Sequence, residues 1–336
     1  MRPPAERRWK PPDRTAIVEC ARQAGLAAIR LPRHAEMFAR ALEGADVDPR
    51  SNDLELRISL APLVFSAASG SEAGRHDLAA LTLLLWIAFD LLDDVADGDL
   101  DAEWNAYAPS EVMVMASALI AGTSHAMVPV LHPSPAVAAR LHARIARGLC
   151  EMADGQIADI AHAGSDDVTA AAVLESIAGK TGAECALFAG LAAVLAEASA
   201  ERIGHFERFG MEYGIANQLY SDLADLFSLD EGRDVANGTR TLPIVWHLEA
   251  LSDSARGEFL ALLDAARVDE AAAGKVREVL LGSPVLRRSI LQIKIHLECA
   301  RTALGRAGAF GSAAAELETF LDQLDLQKVL FNGASG

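Results

Sequence analysis

The sequence predicts an all-α protein, and three observations carry that prediction. Apolar positions recur at intervals of three and four along most of the 336 residues, and no apolar–polar alternation recurs that would build strands. Hydrophobic residues make up 51% of the chain and aromatics only 5%, so the core is Ala- and Leu-rich, a composition that favours closely packed helices. Gly and Pro clusters are few, and the unbroken helical pattern favours one large domain over residues 14–330.

Taken in order, the stretch Met1 to Pro12 carries charge and proline but no apolar run, so residues 1–13 read as a flexible tail and not as a signal peptide. Helices are expected near 14–30, 33–44, 53–70, 75–97 and 109–129 from their apolar periods. Pro133 and Pro135 then mark a break, because proline cannot donate to a continuing helix. Further helices are expected near 135–163, 167–198, 201–228, 240–265, 268–281, 285–306 and 312–329. Turn signals such as Ala163-Gly-Ser-Asp-Asp and Leu281-Gly-Ser-Pro separate them. The segment Leu229 to Arg240 is the most polar loop and reads either as a mobile flap or as an ordinary surface connection.

The formal net charge of −17 argues against a nucleic-acid surface, since phosphate backbones are bound by basic patches. Any phosphate bound here needs a metal or a local basic pocket. Cys20, Cys150, Cys185 and Cys299 lie far apart without metal-ligand spacing and read as reduced thiols of a cytoplasmic protein. The longest apolar run, Leu78 to Phe89, is shorter than the roughly 18 residues of a spanning helix, so no membrane span is expected.

Directly after that run, Asp90-Leu-Leu-Asp93-Asp94-Val-Ala-Asp97-Gly-Asp99 sets five carboxylates into ten residues. In a helix Asp90, Asp93 and Asp97 share one face, with Asp94 one position to the side. Oxygen-only donors at this density suit Mg²⁺, which binds through one or two carboxylates together with substrate phosphates. On charge alone, a solvated acidic helix end serves as well. A second stretch, Asn217-Gln-Leu-Tyr-Ser221-Asp222-Leu-Ala-Asp225, spaces Asn217, Ser221 and Asp225 at i, i+4 and i+8 along one helical stripe. Facing each other across a cavity, the two stripes would hold a small Mg²⁺ cluster against a diphosphate.

Four motifs in this order make the chain resemble the polyprenyl synthetase family of class I isoprenoid synthases. Asp93-Asp94-Val-Ala-Asp97 looks like its first aspartate-rich motif, Gly155-Gln156-Ile-Ala-Asp159-Ile like its Gly-Gln segment, and Gly179-Lys180-Thr181 like its Lys-Thr segment. The region Gly214 to Asp225, followed by Asn237-Gly238-Thr-Arg240-Thr241-Leu242-Pro243, is similar to the second aspartate-rich motif and its trailing Lys-Thr-Leu-Pro. The resemblance implies a single antiparallel helical bundle around a deep apolar pocket. It also implies three Mg²⁺ that join both motifs to the diphosphate of an allylic substrate, with homodimerisation open. Asp93, Asp94, Asp97, Asn217, Ser221, Asp222 and Asp225 are then the metal ligands. Asp93, Asp97, Lys180 and Arg240 carry catalysis, the two cations by contacting the diphosphate. Trp86, Phe89, Gln156 and Gln218 line the substrate pocket. The bulk of Phe89, one turn before Asp93, suggests a substrate of about ten to twenty carbons, while Ala88 reads as core.

The departures from the family pattern decide the expected reaction. A chain-elongating member also holds isopentenyl diphosphate on a Gly-Lys-x-x-Arg stretch, a His and an Arg pair. Here those places read Asn52-Asp53-Leu-Glu55-Leu-Arg57, Trp86 and Asp99-Leu-Asp101-Ala-Glu103. A second diphosphate beside those acids is costly. Asn217, Ser221 and Asp225 instead look like a cyclase triad with Asp as its acidic member. The expectation is therefore a terpene synthase that ionises a prenyl diphosphate and traps the cation with the substrate's own double bonds. The alternatives are a prenyltransferase, either chain-elongating or using another acceptor, and a non-catalytic subunit of such an enzyme.

Overall fold

The computed structural model describes residues 10–27, 29–47, 52–98, 100–162, 165–227 and 233–325. All regular structure among the described residues is helical. In order the helices are α1 Arg14–Leu26, α2 Pro32–Val47, α3 Asn52–Ser69, α4 Arg75–Asp97, α5 Pro109–Leu131, α6 Pro135–His162, α7 Ala170–Ile177, α8 Ala183–Leu195 and α9 Ala200–Phe227. They continue with α10 Arg233–Asn237, α11 Leu242–Ala250, α12 Asp253–Ala266, α13 Glu270–Leu281, α14 Val285–Arg306 and α15 Gly311–Gln323. A short 3₁₀ turn covers Ala102–Trp104 and a π turn covers Ala178–Gly182.

Three sequence expectations change. The helix expected over 167–198 starts at Ala170, where the Thr169 hydroxyl accepts from Ala172 N at 3.2 Å, and it passes through the π turn. The helix expected over 240–265 is two, because Leu251 and Ser252 are both extended (ψ 152° and 159°) and no helix continues through such a pair. The polar segment after α9 holds α10 as well as loop. The last residues of the expected helix 312–329, the side chain of Arg57 and residue Asp99 lie outside the described residues.

The chain divides into two compact units, each described by itself. The first comprises 1–149, 185–208 and 303–319; the second comprises 150–184, 209–302 and 320–336. In the first, α4 is the central helix and packs against α1, α3 and α5. Leu78, Leu81, Leu84 and Leu85 are all 0% exposed. Each such side chain contributes about 2 kcal/mol through removal from water. Gly98 ends α4 in a left-handed conformation at φ 75°, and its N–H reaches Asp94 O. Only glycine adopts that conformation without strain, so the helix stops one residue after Asp97.

In the second unit, glycines let backbones touch. A Cβ on Gly155 of α6 would sit 2.4 Å from the Gly179 carbonyl carbon, and one on Gly214 of α9 would sit 2.4 Å from Thr181 O. The π turn thus lies directly against both α6 and α9, with no side chain between. π turns often mark functional sites, and this one presents Lys180 and Thr181.

Two stretches, 109–131 and 170–195, are long and apolar enough to cross a bilayer by length and composition. In the second, 78% of the most apolar window is buried, as in the core helix of a globular unit. The four cysteines are free thiols.

Candidate active site

In the first unit the last two turns of α4 carry Asp90, Asp93, Asp94 and Asp97 within about 100° of the helix circumference. Asp90 and Asp94 line a cleft of about 120 Å³ with Trp86, Asp101, Glu103 and Trp104. Asp93 is half-buried and Asp97 is exposed. Burial, and then the charges of Asp90, Asp101, Asp93 and Asp97, push the Asp94 carboxyl up to about 7. The last turn of α4 carries no base, and the negative end of a helix adds to the strain on these acids. Trp86 lines the cleft, Phe89 is half-buried beside Asp90, and Ala88 is fully buried, as expected of core.

In the second unit a polar group forms around the buried Asp222. The Thr181 hydroxyl donates to Gln218 Oε1 at 2.9 Å, and Gln218 Nε2 donates to Asp222 Oδ1 at 2.7 Å. Lys180 Nζ donates to Asp159 Oδ2 at 2.9 Å, and Ser176 Oγ donates to Asp159 Oδ1 at 2.7 Å. Asp234 N donates to Asp225 Oδ2 at 2.9 Å, which fixes α10 to the end of α9. Asp222 is 8% exposed; burial pushes its carboxyl up to about 6, opposed by the Gln218 hydrogen bond and aided by the charges of Asp225 and Asp159. Burial, then Asp222 and Asp225, push Asp234 up to about 7.

The structure thus gathers Lys180, Gln218, Asp222 and Asp225 and adds Asp159, Thr181 and Asp234. Asp234 escaped notice because its stretch of sequence reads as a polar loop, and only its position nine residues beyond Asp225 hinted at a shared role. Asn217 and Ser221 lie half-buried on α9, while the buried acid is Asp222. Arg240 makes its contacts elsewhere, to Asp166 and to Gly238 O. The buried amide nitrogen of Gln156 has no hydrogen-bond partner among the described residues, so a donor stands ready on α6.

The donors around Asp222 and at the end of α4 are oxygens, and three of the carboxylates are held near neutral pKa by burial and like charge. A hard divalent cation relieves that repulsion, so these residues fit Mg²⁺. Among the described residues no three His, Cys, Asp or Glu side chains close around a single metal position. Mg²⁺ does not need them to, since it retains waters and takes phosphate oxygens.

Residues 55–280 match the model of the family described as Polyprenyl synthetase. Geranylgeranyl diphosphate synthase of Mycobacterium tuberculosis is 30% identical over 219 residues, which cover 61% of this chain and 62% of that protein. A (2E,6E)-farnesyl diphosphate synthase of the same species is 29% identical over 276 residues, covering 76% of this chain and 75% of that one. The structure of geranylgeranyl pyrophosphate synthetase from Pyrococcus horikoshii superposes with a TM-score of 0.78 at 19% identity, over 93% of this chain and 95% of that one.

These relatives correct the cyclase expectation. They are named for making prenyl diphosphates, so the reading in which diphosphate is lost and a hydrocarbon released is abandoned. The physical reason lies on α9. Ser221 and Asp222 are neighbours about 100° apart, and spacing alone cannot say which faces the buried group. The fold turns Asp222 inward.

Proposed function

Because the chain belongs to the polyprenyl synthetase family, we propose that it is a chain-elongating prenyltransferase that joins an allylic prenyl diphosphate to isopentenyl diphosphate. The names of its relatives support the product class, a longer prenyl diphosphate. The observation that carries the reading is the buried group around Asp222, with Lys180 and three carboxylates in one unit. In the reaction the allylic carbon–oxygen bond breaks, diphosphate leaves with the electron pair, a carbon–carbon bond forms to the acceptor, and a proton is lost.

Mg²⁺, when bound, supplies Lewis acidity that neutralises the departing diphosphate without a proton. Asp222, Asp225 and Asp234 would hold it in the second unit, and Asp93, Asp94 and Asp97 in the first. Lys180, released from Asp159, gives the diphosphate a charge-assisted hydrogen bond. Gln218, fixed by Thr181, keeps the Asp222 carboxylate in one orientation. Burial excludes water from that carboxylate and strengthens each of these contacts.

A second reading, transfer to an acceptor other than isopentenyl diphosphate, rests on one observation. Asp101 and Glu103 line the cleft beside Asp94 where elongating relatives are expected to carry an arginine pair. The test is diphosphate release from an allylic prenyl diphosphate with Mg²⁺, measured with and without isopentenyl diphosphate. Release that requires isopentenyl diphosphate supports elongation; release unaffected by it rejects elongation.

A further inference from the structure

Helix α14 runs against the charge of the chain that carries it. The protein has a formal net charge of −17, yet residues 285–302 hold four bases, Arg287, Arg288, Lys294 and Arg301, and one acid, Glu298. Glu298 lies one turn beyond Lys294 and pairs with Arg301 at 2.7 Å. Arg287 and Arg288 are exposed and make no hydrogen bond or ion pair among the described residues.

The start of α14 buries Val285, Ser289, Ile293 and Leu297 on one side. At about 100° per residue, the opposite side has Leu291 and Ile295 at its centre, Arg287 and Lys294 along one edge and Arg288 along the other. Leu291 is 58% exposed and Ile295 is 47% exposed. A single exposed aliphatic needs no explanation. Two in successive turns, edged by bases on both sides, match a helix that lies in a membrane interface, with its apolar residues at the acyl boundary and its Lys and Arg reaching headgroup phosphates. Arg288 is held ready for that role, its guanidinium carbon 4.1 Å from the ring centre of the buried Trp246. Stacking occupies the face of the guanidinium and leaves its in-plane N–H groups open to phosphate oxygens.

We propose that the α14 face from Arg287 to Ile295 docks the protein on an anionic lipid bilayer. Charge complementarity selects this occupant and its orientation, since an acidic protein is repelled by such a bilayer except where its bases gather. A second copy meeting the face symmetrically would set the same bases against one another. The use of such docking to an enzyme whose product carries an apolar prenyl chain rests on the proposed function; the surface itself does not.

The test is flotation of the full chain, without substrate, on vesicles of phosphatidylcholine alone and of phosphatidylcholine mixed equally with phosphatidylglycerol. Binding is expected only to the mixed vesicles and should weaken at high salt. Arg287→Gln should weaken it about fivefold, the worth of one base near an anionic surface, and Arg287→Gln combined with Arg288→Gln about twenty-five-fold. Leu291→Asn should also weaken it while leaving the melting temperature unchanged, because Leu291 is mostly in water. Failure to bind the mixed vesicles at low salt overturns the proposal, as does equal binding to both kinds of vesicle or binding that these variants keep. Self-association without vesicles that Leu291→Asn abolishes assigns the face to a second copy and overturns it as well. Elongation is scored separately, so a protein that floats as stated yet does not elongate refutes only the proposed function.

Discussion

Replacing Asp94 by Asn should make the metal-free protein more stable at pH 8, although it removes a residue proposed for metal binding. Burial and four neighbouring carboxylates raise Asp94 from 3.8 to about 7. Fully shielded, that preference for the neutral form would amount to about 4 kcal/mol. Asp94 is only half-buried, and solvent screening reduces the figure to about 1–2 kcal/mol. Its folded pKa lies above its unfolded one, so between about pH 4 and 7 the folded protein holds a proton that the unfolded chain has lost. Stability therefore falls as pH rises through that window, and the penalty is complete above about 7. Asn carries no charge and should abolish the slope. Thermal denaturation without divalent cations should show Asp94→Asn melting about 1.5–3 °C above the wild type at pH 8, with the gap closing toward pH 4. A variant that melts below the wild type at pH 8 would refute the claim that the end of α4 is electrostatically strained.

Other outcomes follow from single residues. Asp222→Asn should raise the Mg²⁺ concentration for half-maximal diphosphate release more than Ser221→Ala does, because Asp222 is the buried acid of the group; the reverse order would restore Ser221 as the ligand. Asp234→Ala should cut turnover at least about tenfold while circular dichroism stays unchanged, since the backbone N–H of Asp234, which the substitution keeps, makes the contact to Asp225. Gly155→Ala should cost about 3 kcal/mol or more, because its Cβ would meet the Gly179 backbone at 2.4 Å, and a chemical denaturation midpoint equal to that of the wild type would show that this crossing can open.

Helix α4 was legible from the sequence to the residue, because a run too apolar for the surface ends at Gly98, whose conformation stops the helix. The acids at its end and the Lys180 and Gln218 motifs were legible by resemblance. The rest depended on helix rotation and loop placement, which spacing does not encode. Asp222 faces inward because Gly214 lets α9 lie directly on the π turn, and that turn looks like ordinary helix in the apolar pattern. Asp234 comes beside Asp225 because its own N–H binds that carboxylate, a backbone contact that no side-chain motif announces. Asp159 stood inside a recognised motif, but its pairing with Lys180 needed the close approach of Gly155 to Gly179.

The central claim is chain elongation at the group around Asp222. Isotope-labelled isopentenyl diphosphate, incubated with a short allylic prenyl diphosphate, Mg²⁺ and the protein, should appear in a prenyl diphosphate longer by one isoprene unit. The same incubation with Asp222→Asn should yield much less of it. Unlabelled products alone, or a wild-type protein that consumes the allylic substrate while the label stays in isopentenyl diphosphate, would contradict the account.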